Sequence, residues 1–186
     1  MRSRTFRRVR RLPIFAAAVL LIVFARPHLA GAIVGIPMIV LGEMIRIWAA
    51  GHIQKNEVLT VTGPYNYVKN PLYIGTILCT TGYCIWADNI WVLAFTVFMY
   101  SFHYIPYKLR VEGGRLLERF GPSYADYDAK VPDYIPRWTP YSANKGKWSF
   151  KSFIENSEEG ILLVNILAAA LVATRPYWDA VLGKIF

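Results

Sequence analysis

Apolar residues in this chain come in long blocks, without the polar positions that would recur along a half-buried helix or strand of a water-soluble domain. The blocks run from Leu12 to Ala25, Leu29 to Ala50, Leu72 to Ala87, Ile90 to Ile105 and Ile161 to Ala173. A helix apolar on every side belongs in a core or in lipid, and about 20 residues are needed to span a bilayer. Several blocks are shorter, so flanking Tyr, Trp and basic side chains must extend them to the head groups. The pattern predicts an all-α, polytopic membrane helical bundle with about five transmembrane helices. Asp88-Asn89 leaves room only for a tight helical hairpin between the third and fourth blocks.

Composition agrees: of 186 residues, 55% are hydrophobic and only 18% charged. The net charge of +9 does not mark a nucleic-acid binder, because the basic residues are not interleaved with exposed aromatics over one face. They follow membrane topology. Lys and Arg outside the blocks number six in residues 1–11, two in 51–71 and nine in 106–160, against one in 26–28, none in 88–89 and two in the C-terminal tail. The positive-inside rule then places the N-terminus and both long polar segments in the cytoplasm, with the protein in a bacterial inner membrane. Arg2, Arg4, Arg7, Arg8, Arg10 and Arg11, before an apolar run reaching Ala30-Gly31-Ala32, have the outline of a secretory signal. Six arginines, the Arg26-Pro27 interruption and the apolar block that follows favour instead a first helix held by anionic membrane lipids.

Inside the blocks, Cys79 and Cys84 are five residues apart, a spacing that suits packing better than a disulfide or metal site. Gly31-x-x-x-Gly35 lets another helix approach closely. Glu43 and Arg46 are expected to pair with each other or to line a wet cavity, since an intramembrane charge costs at least about 2.5 kcal/mol.

Between the second and third blocks, Gly63-Pro64-Tyr65-Asn66-Tyr67-Val68-Lys69-Asn70-Pro71-Leu72-Tyr73-Ile74-Gly75 forms a polar, aromatic loop framed by two prolines, with a helix starting at Pro71. After the fourth block comes Val111-Glu112-Gly113-Gly114-Arg115-Leu116-Leu117-Glu118-Arg119-Phe120-Gly121-Pro122-Ser123-Tyr124-Ala125-Asp126-Tyr127, read as two short helices broken at Gly121-Pro122. Thr139 to Lys151 reads as a solvated linker, and Glu155 to Glu159 suits the N-terminus of the last span.

The two motifs, in this order and separated by a hairpin, resemble the signatures of the isoprenylcysteine carboxyl methyltransferase and phospholipid N-methyltransferase family of integral membrane, S-adenosylmethionine-dependent enzymes. The resemblance covers roughly residues 30–137, which divides the chain into a basic tail and first helix (1–29), a methyltransferase core (30–137), and a linker with a C-terminal helix (138–186). It implies methyl transfer to a lipophilic acceptor arriving from the bilayer, preferably a carboxylate, with an amine of a phospholipid as the alternative. Cofactor contacts are implied at Glu57, Val58, Leu59, Thr60, Tyr65, Asn70, Pro71, Leu72, Tyr73 and Glu112. Lys108 and Arg110, with Glu112, are implied at the acceptor. The chain departs from the family where Lys69-Asn70-Pro71 stands for Arg-His-Pro, and where Gly113 follows Glu112 in place of a second glutamate. The Gly-rich strand-to-helix turn of the soluble Rossmann fold is missing, so binding of S-adenosylmethionine in that manner is not expected. Two other classes stay open: an NADPH-dependent, sterol-reductase-like membrane enzyme, and a non-catalytic membrane protein on the same scaffold.

Overall fold

The computed structural model describes residues 19–54, 58–99, 101–102 and 105–182, with only the backbone of 105–110 and 179–182. Residues 19–23 are helical. Seven longer elements follow: α1 (Leu29–Ala50), α2 (Pro71–Trp86), α3 (Ile90–Met99), α4 (Ile105–Phe120), α5 (Pro122–Lys130), α6 (Phe150–Glu155) and α7 (Glu158–Leu182), with a 3-10 turn at Gly63–Asn66. No strand occurs among the described residues, in line with the all-α expectation.

Local chemistry sets the ends. His28 caps α1 by accepting the Gly31 amide on Nδ1 at 3.0 Å, and Gly51 closes it. Pro37 sits inside α1, a position more readily tolerated in lipid-embedded helices than in soluble ones. Pro71 opens α2 as its first residue, where a missing N–H costs nothing. The Asp88-Asn89 hairpin is tight as expected: Asp88 takes φ 50, and Asn89 Oδ1 accepts the Val92 amide at 3.1 Å. The break at Gly121 separates α4 from α5.

The core of the bundle is the antiparallel pair α1 and α2. Gly31 faces the Ile85 carbonyl, Gly35 that of Gly82, and Gly42 both Cys79 and Gly75. A Cβ on Gly42 would stand 2.6 Å from Cys79 Sγ, so the backbones meet where side chains would not fit. Both cysteines are buried free thiols, Cys79 against Gly42 and Cys84 in the neighbouring apolar cluster. Leu21, Ala25, Tyr83, Cys84, Val92 and Val172 complete an apolar cluster joining 19–25, α2, α3 and α7.

Outward, α1 exposes Ile33, Val34, Val40 and Met44, and α7 exposes Leu163, Val164, Ile166 and Leu167. At 22 and 25 residues both are long enough to cross a bilayer, and they are the two described helices that meet the length and apolarity of a span. Helices α2 and α3, with 16 and 10 residues, are shorter than a bilayer. Half of the first apolar block, residues 12–18, lies outside the described residues.

The two ends of the bundle differ. At one, the Arg26 amide bonds the Ala87 carbonyl at 2.8 Å, and Arg175 reaches the Val23 carbonyl at 3.0 Å. At the other, the loop leaving α1, the start of α2, the 131–149 segment and the start of α7 gather.

Candidate active site

The proline-framed loop is built from its own buried polar groups outward. Tyr65, Asn66 and Asn70 are 8%, 3% and 7% exposed, and a buried amide or phenol must find partners. Asn66 finds them in the 141–144 segment. Its Oδ1 accepts the Ser142 amide at 2.8 Å, its Nδ2 donates to the Asn144 carbonyl at 3.2 Å, and its carbonyl accepts the Tyr141 amide at 3.0 Å. Arg137 N bonds Tyr67 O at 3.0 Å, Lys69 N bonds Pro132 O at 2.9 Å, and Gly63 N reaches Lys145 O at 3.4 Å.

The stretch expected to be a solvated linker is therefore a strap across the back of the loop, with Trp148 Nε1 fastened to the Ile47 carbonyl at 2.9 Å. Its polar side chains pointed to solvent, but its backbone donors and acceptors were available to another loop. It also ends earlier than expected, because Ser149 Oγ caps α6 by accepting the Ser152 amide at 3.3 Å.

Under the loop, Tyr124 and Tyr127 of α5 and Val131 just after it pack against Leu59, Val61, Leu116, Phe120 and Tyr141. Tyr127 Oη donates to the Tyr65 carbonyl at 2.8 Å. Burial pushes the Tyr65 and Tyr127 phenols well above their usual range and Tyr124 up to about 12, where the Asp128 carboxylate also raises it. All three stay protonated donors at neutral pH.

The motif's basic residue is used internally. Lys69 Nζ meets Asp128 Oδ1 at 2.7 Å and Asp133 Oδ2 at 3.4 Å. Asn70 precedes α2, yet its side chain does not cap the helix; Nδ2 donates instead to Asp133 Oδ1 at 3.2 Å. Asp128 and Asp133 were not singled out in the sequence, and the run Tyr127-Asp128 to Pro132-Asp133 offers only its acidity as a signal.

Two implied site residues from distant motifs meet directly: Tyr73 Oη donates to Glu112 Oε2 at 3.3 Å. Glu112 is exposed on α4, beside an open groove of about 480 Å³ lined by Glu112, Arg115, Leu116, Glu118 and Arg119. Of the other implied cofactor positions, Val58 is 54% exposed, Leu59 packs on the tyrosine cluster, and Thr60 Oγ1 accepts the Gln54 amide at 3.4 Å. Pro71 is fully buried, and the Leu72 carbonyl accepts from Arg46 and Thr76. Glu57 lies outside the described residues. Lys108 and Arg110 lie in α4, and their side chains are outside the described set.

Glu43 and Arg46 do not pair with each other. Arg46 Nη2 bonds Glu158 Oε2 at 2.6 Å, and Glu43 accepts from Asn165 Nδ2 and from Cys79 Sγ. Both partners on α7 lie opposite, across the antiparallel packing, and offer better direction than a neighbour on the same helix.

A family model described as phospholipid methyltransferase matches residues 30–123. The chain is 27% identical over 125 residues to the cobalt-zinc-cadmium resistance protein CzcN of Cupriavidus metallidurans, covering 65% of this chain and 56% of that one. It is 30% identical over 106 residues to the nickel-cobalt-cadmium resistance protein NccN of Alcaligenes xylosoxydans xylosoxydans, covering 56% and 49%. It is also 29% identical over 100 residues to a protein-S-isoprenylcysteine O-methyltransferase of Schizosaccharomyces pombe, covering 53% and 42%. The chain thus spans about half the length of the curated relatives it matches. No solved structure matches it.

Proposed function

Because this chain belongs to the phospholipid methyltransferase family, we propose that it is a membrane methyltransferase that uses S-adenosylmethionine to methylate a lipophilic acceptor, preferably a carboxylate. The observation that carries the reading is the Tyr73–Glu112 contact at 3.3 Å, which joins the two family motifs across 39 residues at one place.

The residues present fit the cofactor. An exposed Glu112 carboxylate offers acceptor oxygens and a negative charge to a cationic, hydroxyl-rich molecule, while Val58 leaves apolar surface for a flat ring. Glu57 to Thr60, Tyr65, Asn70 to Tyr73 and Glu112 would hold it. When bound, it supplies a methyl group already activated on a sulfonium. The chain's own task is then to align the acceptor and keep water away.

For the acceptor, an ionised carboxylate needs a cation to orient it, whereas an ammonium must first lose a proton to a base. Lys108 and Arg110, one and a half helical turns or less before Glu112 on α4, suit the first. The exposed carboxylate of Glu112 favours the second, and product chemistry decides between them.

The test is titration of the detergent-purified protein with S-adenosylmethionine and, separately, NADPH, followed by incorporation of labelled methyl into membrane extracts. Binding of S-adenosylmethionine with a base-labile methyl product is expected, as an ester requires. Lys108→Ala or Arg110→Ala should then cut methylation while sparing cofactor affinity, and Glu112→Ala should lose the cofactor. A base-stable methyl group would move the acceptor to an amine, and binding of NADPH alone would overturn the methyltransferase reading.

A further inference from the structure

We infer that Glu158, from the last helix, and Arg46 act together as a positioning device that sets the first turn of α2. The inference rests on the S-adenosylmethionine reading above. Helix α7 lies beyond residues 30–123, which the family model matches, yet Glu158 reaches the end of the bundle where the site lies. The Arg46 and Glu158 side chains are 8% and 7% exposed. Arg46 Nη1 donates to Thr76 Oγ1 at 2.5 Å and to the Leu72 carbonyl at 3.3 Å. Thr76 Oγ1 in turn donates to that same carbonyl at 2.8 Å. One guanidinium therefore ties α7 to a backbone group between Pro71 and Tyr73. Gly75 makes the approach possible, since a Cβ there would stand 2.5 Å from Arg46 Cγ.

Docking α7 does not require this pair. Val172 already packs into the apolar cluster, and Asn165 bonds Glu43 and accepts the Tyr83 hydroxyl. A buried ion pair is a poor adhesive, because both charges must leave water. Here Arg46 Nε is also buried without an acceptor. What a planar guanidinium fork provides, and apolar packing does not, is direction. Held by Glu158, it fixes the Leu72 carbonyl, and with it the turn that aims the Tyr73 hydroxyl at Glu112.

The test compares the full-length protein with Glu158→Gln, Arg46→Lys and Asn165→Ala, reading S-adenosylmethionine affinity by calorimetry and amide exchange at residues 73–76. Glu158→Gln and Arg46→Lys should each raise the Kd by about tenfold and speed exchange in that turn. Asn165→Ala removes another side-chain tie of the same helix and should leave both readings unchanged. Wild-type affinity and exchange in Glu158→Gln and Arg46→Lys would overturn the inference, as would an equal loss in Asn165→Ala, which would mean that only docking of α7 matters. If the wild type takes no S-adenosylmethionine, the function reading fails instead, and the exchange at 73–76 still decides whether Glu158 sets the turn.

Discussion

The phenol of Tyr127 donates to the main-chain carbonyl of Tyr65, 2.8 Å away and 62 residues apart in sequence. One bond fastens the α5 helix to the 3-10 turn of the proline-framed loop. Tyr127 is 3% exposed and burial holds its phenol protonated, so the direction of donation is fixed.

Tyr127→Phe keeps the ring and removes the donor, leaving a carbonyl beneath the loop without this partner. The expected loss is about 1 to 3 kcal/mol of stability. Denaturant unfolding of the purified protein checks it, and an unchanged midpoint would show that water replaces the phenol there.

The space around two glycines predicts opposite outcomes. Gly42→Ala places a methyl group 2.6 Å from Cys79 Sγ and from the Gly75 carbonyl, and should cost about 1 to 3 kcal/mol. Gly114→Ala, on α4 with nothing within 4 Å, should instead gain about 0.5 to 1 kcal/mol from helix propensity. Thermal unfolding in one detergent ranks the pair.

His52 predicts a pH dependence. Its Nδ1 lies 3.2 Å from Thr62 Oγ1, and burial lowers its pKa from 6.5. The folded state thus favours the neutral ring, and the unfolded chain takes up the proton first. Its contribution is at its best above pH 6.5, is lost as pH falls from there, and levels off below the lowered folded-state value. The Tm of the wild type should therefore drop more than that of His52→Gln between about pH 8 and about pH 5. Parallel pH profiles would contradict this.

The backbone bonds between the 63–70 loop and the 131–145 segment put both on one side of any membrane the bundle crosses. Asn66 is buried, so the exposed Gln54 is the better reporter. Gln54→Cys and Asn144→Cys should react with an impermeant thiol reagent from the same side, and Asp88→Cys, at the other end of α2, from the opposite side. Labelling of all three from one side would contradict the arrangement.

Much of this molecule is written in local sequence. The apolar blocks, Pro71 at the head of α2, the Asp88-Asn89 hairpin, the Gly121-Pro122 break and the acidic first turn of α7 follow from rules acting over a few residues: a fixed φ, a missing N–H, a helix dipole, a side chain with no place in water. The glycine spacing in α1 showed that a partner helix comes close. It could not say that Gly75 and Gly82 of α2 supply the matching face.

Partner choice belonged to the tertiary structure. Glu43 stands three residues before Arg46, so the sequence joins them, but antiparallel packing brings Glu158 within 2.6 Å from 112 residues away and gives Glu43 to Asn165. The 139–148 stretch has the composition of a linker, yet its backbone groups are bonded to the loop that begins at Gly63. Likewise the fold turns the amide of Asn70 to Asp133, 63 residues further along the chain. Hydrophobic blocks and backbone punctuation act within a helix or a turn, where sequence distance is physical distance. A buried charge or amide is satisfied by whichever group the packed chain brings near, and only the assembled bundle decides which group that is.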